Sequence, residues 1–278
     1  MNTIRHFLKE TSSILARKAP GHGIGKFAAV LLMTCFGQAN AQPGGGALSF
    51  DGSDDFTSVS HQDELSFAAS DSATIELWIN PASDRTVWHA LGKRQACANT
   101  ANMNYQLARD SGSLLHFNTT GCAFSADIDV PVGEWSHVAL TADGSTFRFF
   151  VNGELVNQAN CVFGGENTSP LYFGKSDGCG QTFHGMIDEI RIWDFAREDQ
   201  DIANGYNCEL DSSLPGLLAY WKFDEESSSQ TILDSSGSGF HGSLGGDLDP
   251  SSQDPQRVGS TVPLNCDLLF RDGFEVKD

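Results

Sequence analysis

The sequence is short of positive charge: its 278 residues include 17 Lys and Arg against 36 Asp and Glu, a formal net charge of −19. Residues 1–41 hold five of the basic residues and one of the acidic ones, so the remainder carries 12 basic and 35 acidic residues. Nucleic acid and anionic membrane surfaces both require clustered Lys and Arg, so neither is expected as a partner. A bilayer-spanning helix needs about 20 apolar residues, whereas the apolar run Phe27–Phe36 (FAAVLLMTCF) has ten. Membrane insertion is therefore not expected either. Cys-x-x-Cys is missing, which leaves zinc and thioredoxin readings without a spacing to rest on. His-Glu-x-x-His and the Asp-x-Asp-x-Asp-Gly of an EF-hand are missing as well.

What is present begins with an export signal. A basic, irregular stretch of 26 residues precedes the apolar run, and Ala39-Asn40-Ala41 then has the form of a signal-peptidase site. Residues 1–41 are expected to be a leader cleaved after Ala41, giving a secreted protein, extracellular or periplasmic. Cys35 falls in the leader, and Cys97, Cys122, Cys161, Cys179, Cys208 and Cys266 remain. An even count in an exported chain predicts disulfides. Six cysteines allow fifteen connectivities. Sequential pairing is expected among them, because each consecutive pair brackets a local stretch of strands and turns.

Strand signals recur from Ala47 to about Trp193. In Thr74–Ile79, Ile75, Leu77 and Ile79 share one face and Glu76 and Trp78 the other, the pattern of a sheet buried on one side. Asn152-Gly153 between Phe147–Val151 and Glu154–Val156 is a strong hairpin signal, since both positions accept positive φ. Arg109–Gly112 joins a second such pair. One short helix is expected at Glu198–Tyr206, with acidic residues in its first turn where they complement the helix dipole. Leu217–Phe223 reads as a strand, and 225–262, rich in Ser, Gly and Asp, reads largely as loop. This is the pattern of an all-β antiparallel sandwich or jelly roll.

Several segments in combination resemble laminin-G-like domains of the concanavalin A-like jelly rolls, the group that includes pentraxins. They are Ala47–Phe56 (ALSFDGSDDF), Thr74–Asn80 (TIELWIN), Gly133–Ala139 (GEWSHVA), Phe150–Gly153, Leu171–Ser176 (LYFGKS) and Phe183–Arg197 (FHGMIDEIRIWDFAR). Gly216–Asp224 (GLLAYWKFD) with Asp234–Gly242 is similar to the stretch that ordinarily precedes the FDGSDD-type strand, yet here it follows the IDEIRIW strand. The resemblance implies one domain over 42–244, closed by a permuted strand at 216–224. The rival reading is a truncated second repeat. Residues 245–278 form a Ser/Gly/Asp-rich extension whose end, LFRDGFE, resembles a short ending seen on exported proteins of Gram-negative bacteria.

Oxygen-rich turns in an acidic chain suggest calcium, which takes six to eight oxygen ligands. The resemblance implies Asp51 and Asp188 as ligands, on first and last strands that lie adjacent in the family, and Asp234 in the DSSG turn is a third candidate. The plain alternative makes Asp51 and Asp234 turn formers that bond their own backbone and Asp188 a solvent-facing strand residue. Trp88 and Tyr105, outside the strongest segments, are candidates for stacking on a sugar ring. Trp78, Trp135, Trp193, Trp221 and His137 are read as packing residues. Gly174-Lys175-Ser176-Asp177-Gly178 matches a nucleophile elbow, but no strand-to-helix turn surrounds it. The E-x-D-x-E pattern of the family's glucanases is absent. Asp188 and Glu189, being consecutive, are expected on opposite faces and so not as a catalytic pair. Asn118 and Asn167 head glycosylation sequons. The expected function is a secreted, non-catalytic recognition module for a glycan or a cell-surface protein, with calcium as its structural ion. A polysaccharide-active enzyme or an adhesive surface component are the alternatives.

Overall fold

A computed structural model describes residues 45–82, 87–95, 102–112 and 114–264. The expected leader, Cys97, Cys266 and the LFRDGFE ending lie outside the described residues. Two antiparallel eight-stranded sheets face each other. Sheet A runs β10 (Glu154–Ala159), β9 (Phe147–Val151), β8 (Ser136–Asp143), β3 (Ser72–Pro81), β12 (His184–Trp193), β1 (Gly46–Asp51), β16 (Gln256–Gly259), and β13 (Leu217–Trp221) also pairs with β12. Sheet B runs β14 (Thr231–Ile232), β15 (Gly242–Leu244), β2 (Thr57–Val59), β11 (Leu171–Phe173), β4 (Trp88–Arg94), β5 (Met103–Arg109), β6 (Leu115–Thr119), β7 (Cys122–Ser125). The single α-helix among the described residues, α1, is Asp199–Gly205. None of the described helices is long and apolar enough to cross a membrane.

Alternation along the strands builds the core. Ile75, Leu77 and Ile79 of β3 and Leu107 and Phe117 of the facing sheet are fully buried in one cluster. The second face of β3 is not solvated as the sequence pattern suggests. Trp193, Cys208, Leu210, Leu217 and Tyr220 form a smaller cluster over sheet A, and Ile202 of α1 packs on Ala139 and Phe150. A layer on the outer face therefore buries half of sheet A twice. At the β9–β10 turn Asn152 and Gly153 both have positive φ, 49° and 81°, as a two-residue hairpin of matching twist demands.

Three features differ from the sequence reading. First, β12 carries a bulge: Asp188 pairs with Trp78 and Arg191 with Glu76, so Glu189 and Ile190 together oppose Leu77. Glu189 has φ 52°. Ile187 and Ile190 both point into the core, which leaves Asp188 and Glu189 on the same outer side rather than on opposite faces.

Second, the sandwich does not stop at residue 244. β16 pairs with β1 from Gly46↔Gly259 to Ser49↔Gln256, and Arg257 bonds Glu225 at 2.5 Å and the Thr231 carbonyl at 2.7 Å. The stretch read as loop and extension is thus an edge of both sheets. β13 and β1 occupy the same flank of β12 end to end, pairing Ile190–Trp193 and His184–Ile187 respectively. Where they meet, Gly46 donates its N–H to Asp224 Oδ1 at 2.7 Å. A Cβ at Gly46 would lie 2.1 Å from the Phe223 carbonyl oxygen, so no side chain fits there.

Third, the expected sequential pairing fails at Cys122 and Cys161. Cys122 is joined to Cys161, with a Cα–Cα distance of 6.0 Å and a separation of 39 residues; Cys179 and Cys208 are also disulfide-bonded. Cys122 opens β7 and Cys161 follows β10, the last strands of their respective sheets. Nearness was set by two sheet edges closing on each other, which bracketing along the chain does not reveal. The bond staples one side of the sandwich.

Candidate functional site

β1 ends in Asp51-Gly52-Ser53-Asp54-Asp55, a turn that carries the chain from sheet A to β2 in sheet B. Gly52 takes φ 76°, Asp51 Oδ1 accepts the Ser53 N–H at 2.6 Å, and Asp55 Oδ2 accepts the Asp51 N–H at 2.7 Å. This tight geometry draws three carboxylates together. Asp51, Asp54 and Asp55 each place an oxygen within 4.8 Å of the others, the one such group of potential metal ligands among the described residues.

The turn forms one wall of an open cleft of about 690 Å³. Its floor is the uncovered part of sheet A: Ser49 and Asp51 of β1, Asn80 of β3, His184 and Met186 of β12. The opposite wall is Ser251, Ser252, Asp254 and Gln256. Asp51, Asp55 and Asp254 line this space, and no Lys or Arg lines it among the described residues. Burial, aided by the Asp51, Asp54 and Asp254 charges, pushes Asp55 up to about 6, while the Asp51 N–H holds it down. Asn80 is 7% exposed and lines the cleft. Its side-chain amide makes no hydrogen bond among the described residues, and the open cleft gives it access to water.

Of the residues singled out from sequence, Asp51 stands in this cleft and the others do not. Asp188 is fully buried beneath Ser260, whose hydroxyl it accepts at 2.5 Å, and it also accepts the Glu189 N–H at 2.7 Å. Burial and the adjacent Glu189 push its carboxyl well above the usual range. The register places it beside Ala47, four residues up the strand from Asp51, or about 13 Å. Asp234 is also buried, its oxygens accepting the N–H groups of Tyr220, Ser236 and Phe240 at 2.9–3.0 Å. It is a turn organiser with its acceptors engaged.

The two aromatic candidates are corrected outright. Trp88 is 1% exposed against Phe183, with ring centroids 5.1 Å apart, and Tyr105 is 0% exposed with its hydroxyl donated to the Leu65 carbonyl at 2.9 Å. Both point into the sandwich and neither can stack on a ligand. Tyr105 alternates with the core residue Leu107, so the period of β5 already carried this information. Ser176, of the elbow-like motif, is buried against Gln106 Oε1 at 3.0 Å. The Asn167 amide donates to the Asn102 and Gly165 carbonyls at 2.9 and 3.0 Å, which leaves its sequon no free nitrogen in the folded state.

The sequence reading missed Asp54, Asp55, Asn80, His184, Asp254 and Gln256. The DGSDD motif itself could have supplied the first two. Asp254 is brought in by the β1–β16 pairing across roughly 200 positions, and nothing local marks it.

Fold and cleft together define a jelly-roll sandwich of the lectin and glucanase type. A family profile described as Concanavalin A-like lectin/glucanases superfamily (Laminin_G_3) matches residues 51–203. The chain belongs to this laminin-G-type family. No curated protein matches it. Among solved structures, a presumed carbohydrate-binding protein from Bacteroides ovatus aligns with TM-score 0.60 and 20% identity, over 80% of this chain and 62% of that one. The chain thus spans under two thirds of that protein's length. A heptameric SAP-like pentraxin from Limulus polyphemus aligns at 0.43 and 17% identity over 58% of this chain and 81% of that one. A sialidase CBM40 from Ruminococcus gnavus, bound to α2,3-sialyllactose, aligns at 0.45 and 13%, over 58% and 96%. These last two are too distant to bear on function.

Proposed function

We propose that the protein is a non-catalytic recognition module that binds a glycan, free or carried on a cell-surface protein, in the cleft between the DGSDD turn and residues 251–256. The observation that carries this is an open 690 Å³ space lined by hydrogen-bonding side chains and by acidic charge, with no Lys or Arg in its lining among the described residues. A sugar presents hydroxyls that can bond carboxylates, the Asn80 amide and Gln256, and can complete the coordination of a bound divalent cation. The donor set fits calcium: all-oxygen, three carboxylates within 4.8 Å, and an unengaged amide oxygen on Asn80. When bound, calcium would neutralise the carboxylates and offer open positions to sugar oxygens. Asp51, Asp54 and Asp55 would hold it. Likeness to the Bacteroides ovatus protein supports the fold on which this reading stands. Export through residues 1–41 is part of the same proposal and agrees with the disulfides.

A glycan array probed in calcium and then in EDTA tests it: binding in calcium that chelator removes, and that Asp55→Asn removes, is the expected result. A blank array in both conditions sinks the glycan reading.

One observation favours a second reading. A pair of carboxylates whose oxygens lie within 4.8 Å, one of them held up to about 6, matches the acid and nucleophile of a retaining glycosidase. Turnover of a polysaccharide that Asp55→Asn abolishes, with calcium irrelevant, would favour hydrolysis over recognition.

A further inference from the structure

At the end of β2 opposite the DGSDD turn, the chain runs through His61 and the short 3-10 turn Asp63–Leu65 to Phe67. Leu65 and Phe67 are buried in the core, and Phe67 packs on Tyr105 and Phe163 with ring centroids 5.7 and 5.0 Å apart. Ser66 Oγ donates to the Asn167 carbonyl at 3.3 Å, which ties this segment to 164–169.

Both segments are also fastened by Lys93 of β4, which is fully buried. Its Nζ donates to the Ser169 carbonyl at 2.6 Å and lies 3.0 Å from His61 Nδ1. These partners are uncharged acceptors, and no carboxylate bonds the ammonium among the described residues. Burial holds Lys93 down to about 8, against the opposing pull of Asp63. An ammonium offers only donors, so His61 Nδ1 must supply its lone pair. The ring proton then sits on Nε2, 3.0 Å from Asp63 Oδ1.

An imidazolium has no lone pair to give. A proton added to His61 would set Nδ1–H against a buried ammonium, two donors and two like charges at hydrogen-bond distance. Transfer of the Lys93 proton to His61 leaves the pair with the same single charge and takes up no net proton. The charged groups that face His61 are Lys93 from β4 and Asp63 from its own segment; from 164–169 it meets only the bond to the Ser169 carbonyl, through Lys93. The Asp63 side chain is 99% exposed, so water screens its help. Glu64 and Glu166, on the two segments, are exposed as well.

We infer that Lys93 and His61 form an acid-released latch: the closed pair carries one positive charge, and protonation of His61 frees segments 61–67 and 164–169 from the end of the sandwich. Both groups act with the same sign. The contribution of Lys93 is present above its ordinary 10.5 and is lost as pH falls through about 8. An imidazole released to water takes its proton at about 6.5, so a second loss follows below that pH. The latch uses no residue of the cleft, and the fate of the glycan reading does not touch it.

Hydrogen exchange of the full chain, corrected for intrinsic rates, reads the latch. One proton shifts an equilibrium by at most about tenfold per pH unit, so between about pH 7.5 and 5 the amides of 61–67 and 164–169 should lose about tenfold in protection while those of β3 keep theirs. His61→Gln supplies an acceptor that does not titrate and should hold its protection at both pH values. Lys93→Met removes the opposing charge and should abolish the acid release too, with urea unfolding at the higher pH to show that each variant folds. Long-range nitrogen–proton NMR of the wild type at that pH should find His61 protonated on Nε2 alone, a reading that needs no variant. Wild-type protection indifferent to pH, an equal acid loss in His61→Gln, or a His61 proton on Nδ1 overturns the latch.

Discussion

The outer face of sheet A treats its charges in two ways. Beneath α1 and the layer that follows it, Glu76 is fully buried and accepts Arg197 Nη1 at 2.8 Å and Trp193 Nε1 at 2.9 Å, with His137 at 3.4 Å and Arg191 at 4.0 Å. Arg191 in turn bonds Glu189 at 2.5 Å and the Cys208 carbonyl at 2.6 Å. A few residues along the same strands, Asp51, Asp55 and Asp254 line an open cleft with no Lys or Arg among the described residues. Covered charges are matched and anchor a layer; the uncovered ones have no cationic partner among the described residues. Glu76 and Asp55 carry the difference in their ionisation. Despite its burial, Glu76 is held below the usual carboxylate range by Arg197, His137 and Arg191, whereas Asp55 is pushed up to about 6.

Breaking the covered half has the largest expected effect. Arg197→Met leaves Glu76 buried with a weaker set of partners and releases the bond from Arg197 Nη2 to the Asp201 carbonyl in α1. Removing one partner of a buried pair costs about 3–5 kcal/mol, or roughly 6–20 °C in Tm for a domain of this size by calorimetry. A loss under about 1 kcal/mol would show that the network is ornamental and the contrast with the cleft overstated.

In the open half the corresponding test is addition rather than removal. Calcium at about 100 times its Kd should stabilise the protein by about 2.7 kcal/mol, seen as a rise in Tm that EDTA reverses. Asp55→Asn should abolish that rise. A Tm indifferent to calcium at millimolar concentration would leave the cleft acidic without a cation to explain it.

Much of the covered half was legible in the sequence. The alternation of β3 set Ile75, Leu77 and Ile79 inward, and Asn152-Gly153 specified its turn chemistry. The layer that buries Glu76 was not legible, because period two reports which side a residue takes and not what lies over that side. The bulge in β12 was hidden for a related reason: placing Asp188 and Glu189 together depends on the register against β3, which no local pattern contains. Of the cleft, Asp51 was read by resemblance and Asp54 and Asp55 stood beside it in the motif. The second wall came from strand pairing between the two ends of the domain. Trp88 and Tyr105 were misread for want of applying to β4 and β5 the alternation used for β3.

With calcium withheld, Asp55→Asn should have the opposite sign from Arg197→Met. It removes a charge disfavoured by burial and by three neighbouring carboxylates, yet Asn retains an oxygen to accept the Asp51 N–H, so chemical denaturation at pH 7 should show a gain of about 1 kcal/mol. A loss of similar size would mean that Asp55 serves the fold rather than a ligand.

The smallest effect, and the one that best separates the halves, is in pH. Asp55 titrates near 6 in the folded state against 3.8 in its absence, so the native state holds the proton more tightly. Its contribution is therefore fully present below about pH 3.8 and is lost as pH rises through 6. Glu76 has the reverse sign: its folded value lies below its ordinary 4.5, so its contribution is complete above 4.5 and disappears only in stronger acid. Between pH 4.5 and 6.5 Glu76 is silent and Asp55 is not. Buried His89, lowered to about 4, loses stability on acidification in the same window, which makes the informative quantity a difference. Wild type minus Asp55→Asn, measured in EDTA by urea unfolding, should show wild type gaining on the variant as pH falls from 6.5 to 4.5. Saturating calcium should remove or invert that trend, since the ion binds the ionised carboxylate. Parallel curves for the two proteins in EDTA would place Asp55 with the matched charges and erase the distinction between the two halves.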